Sequence, residues 1–330
     1  MTVRLGELLA IGARIDLNAL LGDQRLTNPA LIYDPASQTF DVVLKKNAYD
    51  RRRVWQTEDR NWGSIVALDG KLRVRHVHAR LRRDFGLIAQ RPLAMPPLRL
   101  GSLDFDGADD LRIVAWNGRL CLLGSCYRLA AALREGRWRV DAMTMRMFIT
   151  PLDPADGPAP CVFPPFFAAA AMDKNWVAHE RSEGELALSI DFNRNLWLAF
   201  DRFPRDPVAM PRHGLAWQGG WSGSSSLVPV EHGYLAVLHR AVSMNPSVYL
   251  HMFVLCDARF RVLRRSQPFT FEGEPVEFCM GLTRDARARQ LILAYGVWDD
   301  QARLVTLAEQ DALALCATQV REPGELYLVK

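Results

Sequence analysis

The amino-acid sequence predicts an all-β fold, a five-bladed β-propeller forming a single domain with an axial pocket. Three observations carry that expectation. Apolar and polar residues alternate in many short runs, while helical spacing is scarce. Several runs are joined by Asp-Gly or Asn-Gly, pairs that supply the positive φ angles of tight hairpin turns. No polar linker divides the 330 residues, which disfavours a pair of sandwich domains against a barrel or propeller. Propellers carry roughly 4–8 four-stranded blades, so about five blades of roughly 60 residues use this length.

Each element follows from its local pattern. The first dozen residues have the best N-terminal helical spacing, and residues 1–26 are expected to form an extension packed on a propeller of residues 27–330. ALIYD (30–34) leads through Pro35-Ala36-Ser37 to TFDVVLKK (39–46), a strand pair. GSIVALDGKLRVRHVHARL (63–81) reads as a hairpin turning at Asp69-Gly70, and LRIVAWNGRLCLLGSCY (111–127) as one turning at Asn117-Gly118. YRLAAALREG (127–136) fits either helix or strand, and the Pro-rich stretch 150–166 reads as a long loop packed on the body. Further strands are LALSIDF (186–192), LWLAFDRF (196–203), a hairpin turning near His232-Gly233, VYLHMFVLCDARFRVLRRS (248–266) and QLILAYGVWDDQARLVTL (290–307). AEQDALALC (308–316) is the best late helix.

Composition excludes several classes. With 49% hydrophobic and 24% charged residues the chain is globular. Its 41 basic and 37 acidic residues are interspersed, which argues against a dedicated nucleic-acid surface. Arg51-Arg52-Arg53 reads equally as an anion contact or a solvated turn. No apolar run approaches the roughly 20 residues of a membrane span, and Arg4, Glu7 and Arg14 interrupt the N-terminal stretch as a signal peptide. The six cysteines (Cys121, Cys126, Cys161, Cys256, Cys279, Cys316) form no CxxC pair and no zinc spacing with histidine. A reduced, cytoplasmic protein without a metal is expected. No G-x-G-x-x-G or P-loop occurs, and GSCY and GSSS lack the strand-to-helix elbow of a hydrolase serine.

The chain carries TNPALIYD (27–34), ADDLRIV (108–114), MDKNWVAHE (172–180) and LAYGVWDD (293–300), in that order. This set resembles the five-bladed β-propeller sugar enzymes that include the β-mannoside phosphorylases. Those begin their blades with an NPS segment and open an inner strand with acid-acid-Pro-Arg. They start a later blade with a lysine segment and carry a YG-x-x-D turn near the end. Two departures stand out: Leu111 replaces the family's proline, and the family's LHRP strand is replaced by LALSIDF, while VLHR at 237–240 comes later. The family's phosphate-binding arginines have no unambiguous counterpart. The chain is also similar to a less characterised bacterial branch associated with glycosyltransferases, through GSSS, GYLAVLHR, YLHMFVL, EFCMGL and LAYGVWDD.

The resemblance implies inverting phosphorolysis or glycosyl transfer, with mannosides as the substrate class. Asp110 would be the general acid/base and Asp109 its neighbour in the pocket, with Arg112 orienting it or binding an anion. Lys174 would bind phosphate, with Asn175 and Trp176 on the sugar. No cofactor is implied; inorganic phosphate, a sugar phosphate or a nucleotide sugar would be the co-substrate. Each assignment has a structural alternative: Asp109 and Asp110 capping a turn with Arg112 paired to them, Trp176 in the core, Lys174 solvated. In GGWSGSSSLVP (219–229), Ser224 and Ser225 could cradle an anion or sugar oxygens, or form a plain connecting loop. His239 would join Lys174 and Arg112 in holding phosphate or a sugar phosphate, with a hydrogen-bonded structural histidine as its alternative; His251 lies in an apolar strand, where a histidine is more often structural. Glu277 and Asp299, the latter with Tyr295 in the YG-x-x-D turn, complete the possible axial carboxylates; Glu277 would be the second carboxylate of an inverting hydrolase. Three readings follow: a phosphorylase or transferase, a non-catalytic glycan-binding propeller partnering a glycosyltransferase, and a hydrolase. Whether the chain forms a homo-oligomer is open.

Overall fold

The computed structural model describes residues 3–47, 74–100, 103–105, 107–134, 137–153, 174–180, 184–191, 196–200, 220–244 and 247–321. The N-terminal segment holds β1 (Val3–Arg4), α1 (Leu5–Leu8), β2 (Arg14–Asp16) and α2 (Leu17–Leu21). The helix expected over the first dozen residues is thus confined to one turn. Pairing with the body overrides the helical spacing: β1 runs parallel to residues 269–270, and β2 pairs with residues 303–305.

The strands assemble mainly as antiparallel meanders. The first contains β3 (Leu26–Asp34), β4 (Thr39–Asn47), β5 (Val74–Arg82) and β6 (Leu87–Leu93), followed by a ribbon of β7 (Arg99–Leu100) and β8 (Leu103–Asp104). The second contains β9 (Gly107–Trp116), β10 (Arg119–Arg134) and β11 (Arg137–Pro151), and the third β12 (Val177–Glu180), β13 (Leu186–Asp191) and β14 (Leu196–Phe200). Next come β15 (Ser222–Gly223), β16 (Val228–Val230), β17 (Gly233–Met244), β18 (Ser247–Cys256), β19 (Val262–Arg265) and β20 (Phe269–Thr270). The last meander is β21 (Glu277–Asp285), β22 (Gln290–Val297) and β23 (Gln301–Ala308), and α3 (Glu309–Leu315) and β24 (Thr318–Gln319) follow it. The fold is mostly β, as the alternation predicts.

Turn chemistry accounts for several joints. Asn117 and Gly118 sit at φ 50° and 68°, the left-handed pair that closes β9 onto β10. The next expected turn shifts by one residue: β16 ends at Val230, Glu231 and His232 form the turn, and Gly233 begins β17. A Cβ on Gly233 would collide with the Cys256 carbonyl, so only glycine fits there. Residues 127–134 are the far half of β10, because fourteen register pairs with β11 outweigh the helical spacing of the alanines. The Asp69-Gly70 turn, Arg51-Arg52-Arg53, Cys161 and residues 154–166 of the long loop lie outside the described residues. The expected five-blade count is not fixed by the described sheets.

Apolar cores lie between sheets. Leu31, Phe40, Val42 and Leu44 pack against Ile292, Ala294 and Leu304; Ala30, Val43 and Leu93 pack against Leu111, Ile113 and Leu122. Val114, Trp116 and Leu123 meet Trp176, Leu186 and Leu188, and Val237 and Phe253 meet Leu293 and Tyr295. A fully buried leucine of this kind contributes about 1.5–3 kcal/mol. The same packing sets the first strands of successive meanders side by side: β3 lies against β21 and β9, and β9 against β12. The free cysteines Cys121, Cys126, Cys256, Cys279 and Cys316 are buried within these elements. Among the described residues no helix is long and apolar enough to cross a membrane.

Asn18, in α2, fastens the N-terminal segment where it matters for the site. Its Nδ2 donates to the carbonyls of Leu26 and Asp300, both at 3.0 Å, and its Oδ1 accepts from the Ala302 amide at 2.6 Å. Asn18→Ala should cost about 1–3 kcal/mol by stranding these backbone groups, read as a lower denaturant midpoint with an unchanged slope.

Candidate active site

The opening of β9 holds the acidic pair. Register runs from Arg112 opposite Leu123 to Asp109 opposite Ser125, so Asp110 and Leu111 form a β-bulge facing Gly124. Asp110 takes the left-handed conformation, φ 49°, which re-aims its side chain out of the pleat. Leu111 drops into the core between β3 and β9, and a Cβ on Gly124 would overlap its Cδ2. The leucine that departs from the family's proline is therefore a core residue.

Two residues from the first meander complete the constellation. Asn28 lies in a second bulge, at φ 47°, and its Nδ2 donates to Asp110 Oδ1 at 3.1 Å. Lys45 reaches across from β4, its Nζ 2.9 Å from Asp109 Oδ1 and 3.6 Å from Asp110 Oδ1. The Asp110 amide donates to Asp109 Oδ1 at 3.0 Å. Lys45 is buried, whereas both aspartate side chains remain 19% exposed, so the pair faces an opening.

Arg112 acts from behind. Almost fully buried, it donates from Nε to the Ser224 carbonyl at 2.9 Å, from Nη1 to the Asp110 carbonyl at 3.4 Å and from Nη2 to the Gly223 carbonyl at 3.5 Å. It orients the bulge against the glycine-serine loop. Lys174 is electrostatically coupled to Asp110, Asp109, Lys45 and Arg112, and Asp299 to Asp109. Beside Lys174, Asn175 (φ 64°) brings its Nδ2 to 3.5 Å from His239 Nε2. His239 also packs edge-on against Phe278 and Tyr249, with centroids 4.7 and 5.8 Å away.

Other expected site residues are placed differently. Trp176 is a core residue between β9–β11 and β12–β13, not an exposed sugar platform. Ser224 and Ser225 are fully buried: Ser224 Oγ donates to the Cys279 carbonyl, and Ser225 Oγ donates to the Ser226 carbonyl and accepts from the Val237 amide. They build the loop instead of lining it. Glu277 has no exposed surface, and its carboxylate accepts from the amides of Phe271, Glu272 and Glu274 at 2.6, 2.8 and 2.8 Å. That carboxylate anchors a loop, so the structure gives no support to it as a hydrolytic base. Tyr295 is stacked on Phe271 in the interior and donates to Glu272 Oε1 at 2.7 Å. His251 is buried and accepts from the Cys279 amide at 3.3 Å, as a structural histidine would.

Sequence reasoning missed Asn28, Lys45 and His76. Asn28 carried a signal, since it stands in TNPALIYD. Lys45 and His76 carried none: each occupies the polar phase of a strand whose other face is apolar.

Burial and charge set the protonation states. Burial raises the Asp109 carboxyl, and the Asp110 charge adds to this while Lys45 opposes it. Burial pushes Asp110 up as well, but Lys45, Arg112, Lys174 and the Asn28 hydrogen bond together pull it below the usual carboxylate range. The pair is thus split, with Asp110 ionised more readily than Asp109. Burial pushes Lys174 down to about 8 against the opposing pull of Asp110 and Asp109. Burial also holds His76 down to about 3 and His239 well below its ordinary value, so both imidazoles are neutral.

No family model matches this sequence, and no curated protein matches it. Solved structures do. A β-1,2-mannobiose phosphorylase from Listeria innocua superposes with a TM-score of 0.53 at 15% identity, covering 88% of this chain and 91% of its own. The chain shares its fold with the mannoside phosphorylases. One structure comes from the GH130 family of mannoside phosphorylases, which contains glycoside hydrolases that target β-1,2 mannosidic linkages in Candida mannan. It matches with a TM-score of 0.54 at 12% identity, over 98% of this chain and 97% of its own. A candidate glycoside hydrolase from Bacteroides ovatus matches with a TM-score of 0.55 at 13% identity, over 88% and 89%. At these identities the likeness is one of fold, and it agrees with the propeller expectation.

The YG-x-x-D segment contributes space as well as a turn. A Cβ on Gly296 would collide with Asn28 Oδ1 and lie 2.5 Å from Thr27 Oγ1 and 2.8 Å from the Asn28 amide. Gly296→Ala should therefore displace Asn28 from Asp110 and cost about 1–3 kcal/mol. Chemical denaturation reads the cost, and the amide resonance of Asn28 in an NMR spectrum reads the displacement.

Proposed function

We propose that this protein transfers a glycosyl group, with inversion, between a sugar phosphate and a carbohydrate hydroxyl. One observation carries the reading: an acidic pair at an opening, with cations from β4 and from the segment before β12 set against it. Lys45 and Lys174 supply the positive charge that a phosphate requires, while Arg112, committed to carbonyls, fixes the position of Asp110. In the transfer direction Asp110 accepts the proton of the acceptor hydroxyl. That oxygen bonds to the anomeric carbon, and the bond from that carbon to the phosphate oxygen breaks with its electrons leaving on phosphate. Phosphorolysis is the same path reversed, with Asp110 donating the proton to the glycosidic oxygen. The depressed pKa of Asp110 keeps the carboxylate ionised, the form that accepts a proton in the transfer direction.

The fold neighbours support a carbohydrate substrate, since two of them are phosphorylases or relatives acting on mannosides. A hydrolase would need a second carboxylate about 6.5–9.5 Å from the first to activate water. Glu277 is engaged with three amides, which leaves Asp299, coupled to Asp109, as that reading's only foothold among the described residues. The glycan-binding alternative, working beside a glycosyltransferase, draws on the absence of the LHRP strand.

Calorimetric titration with mannose 1-phosphate tests the reading. Lys174→Ala should weaken binding roughly 10- to 100-fold, as expected for loss of a charged hydrogen-bond donor. Asp110→Asn should retain binding and lower transfer to an acceptor sugar by about 10²–10⁴. Binding of free glycans with no turnover by either protein would replace this function with the binding module.

Affinity for the sugar phosphate should also fall as pH rises from 7 to 9. The phosphate is already doubly charged above its second pKa near 6, while Lys174 loses its proton around 8. An affinity that stays level across that interval would exclude Lys174 as the phosphate ligand.

A further inference from the structure

We propose that His76 is a ligand-contact residue, its Nε2 forming a hydrogen bond to a hydroxyl of the sugar held beside Lys45 and Asp110. The inference rests on the transfer reading above and names a specificity determinant that neither the motifs nor the fold neighbours assign.

Register places His76 directly opposite Lys45 on the β4–β5 ladder, so the two side chains emerge together on one face. Its electrostatic environment includes both Lys45 and Asp110, which puts the imidazole at the acidic pair. His76 is 3% exposed, and its Nε2 is buried with no hydrogen-bond partner among the described residues. Neither cross-strand neighbour provides one. Lys45 directs its ammonium to Asp109 and Asp110, and the residue opposite on β6 is Leu93.

The same strand shows how this fold treats a structural histidine. His78, two residues on and on the same face, has its Nε2 2.7 Å from Asp41 Oδ1, and Arg80 Nε donates to that carboxylate at 3.2 Å. One histidine is satisfied by a carboxylate and the other is left open beside the site. Buried polar atoms are nearly always paired, and an exception calls for an explanation. Nδ1 of the structural His251 is also unpaired, so it is the position of His76 beside Lys45 and Asp110 that points to a ligand. A neutral imidazole matches a hydroxyl, since each can donate or accept. A site built to bond one substrate hydroxyl discriminates strongly against the analogue that lacks it.

The test pairs protein and sugar changes, with mannose 1-phosphate, its 2-, 3-, 4- and 6-deoxy analogues and inorganic phosphate as probes. Wild type should bind one deoxy analogue at least about tenfold more weakly than the parent. His76→Leu should bind the parent about tenfold more weakly, lose the discrimination at that one position, and keep its affinity for inorganic phosphate. Its unliganded melting temperature should hold or rise, because an unpaired polar atom has been replaced by an apolar one. His76→Gln, which keeps a polar atom, should recover part of the discrimination. If His76→Leu discriminates among the analogues as wild type does, the inference is overturned. If wild type binds inorganic phosphate but no sugar phosphate, the inference falls while the anion site stands. Failure to bind either would remove the transfer reading and this inference together.

Discussion

A single buried ammonium organises the site. Two adjacent aspartates would repel each other if both were ionised, and their burial already disfavours charge. Lys45, 2.9 Å from one and 3.6 Å from the other, lets the pair persist at the opening of β9. It comes from a different sheet strand than the acids, so the ion cluster exists only when the first two meanders are packed through Ala30, Val43, Leu111 and Ile113. Paired buried charges of this kind add little net stability. Their value is positional: the bulge, the left-handed Asp110 and the Asn28 amide all take their place around that charge.

How much of this is legible in the sequence depends on the range of the interaction. Asn117-Gly118 declares its turn through backbone preference alone, and AEQDALALC declares α3, because both are local. The acidic pair and Arg112 also announced themselves, as charges where an apolar strand begins. Lys45 did not. In DVVLKK its phase matches Asp41 and opposes Phe40, Val42 and Leu44, so it reads as the wet face of an ordinary strand. Only the arrival of β9 against that face buries it. The alanine-rich 127–134 stretch failed in the opposite sense: its local pattern allows helix, and long-range pairing with β11 decides for strand.

The misplaced site residues share a cause. Loops between sheets carry backbone amides and carbonyls that must be satisfied where water is excluded. Glu277 serves three such amides, Ser225 serves Val237, and Arg112 serves two carbonyls of the glycine-serine loop. Polar residues near a functional opening are thus recruited to hold the frame, and nothing in their identity separates that duty from ligand contact. Trp176 illustrates the apolar version, since the same ring that suits a sugar face suits the space between two sheets.

The N-terminal segment sets a schedule for biosynthesis. Ala13 bonds to Thr306, 293 positions later, and Asn18 bonds to Asp300, 282 positions later. At roughly 5–20 residues per second a ribosome needs on the order of 15–60 s to cover such an interval. Throughout that time β1 and β2 lack their partner strands, and Leu5 and Leu17, buried in the finished fold, have no complete core to enter. Residues 3–17 are therefore seated only after strands made more than 250 positions later, so a slow or stalled translation over that interval would prolong their unpaired state.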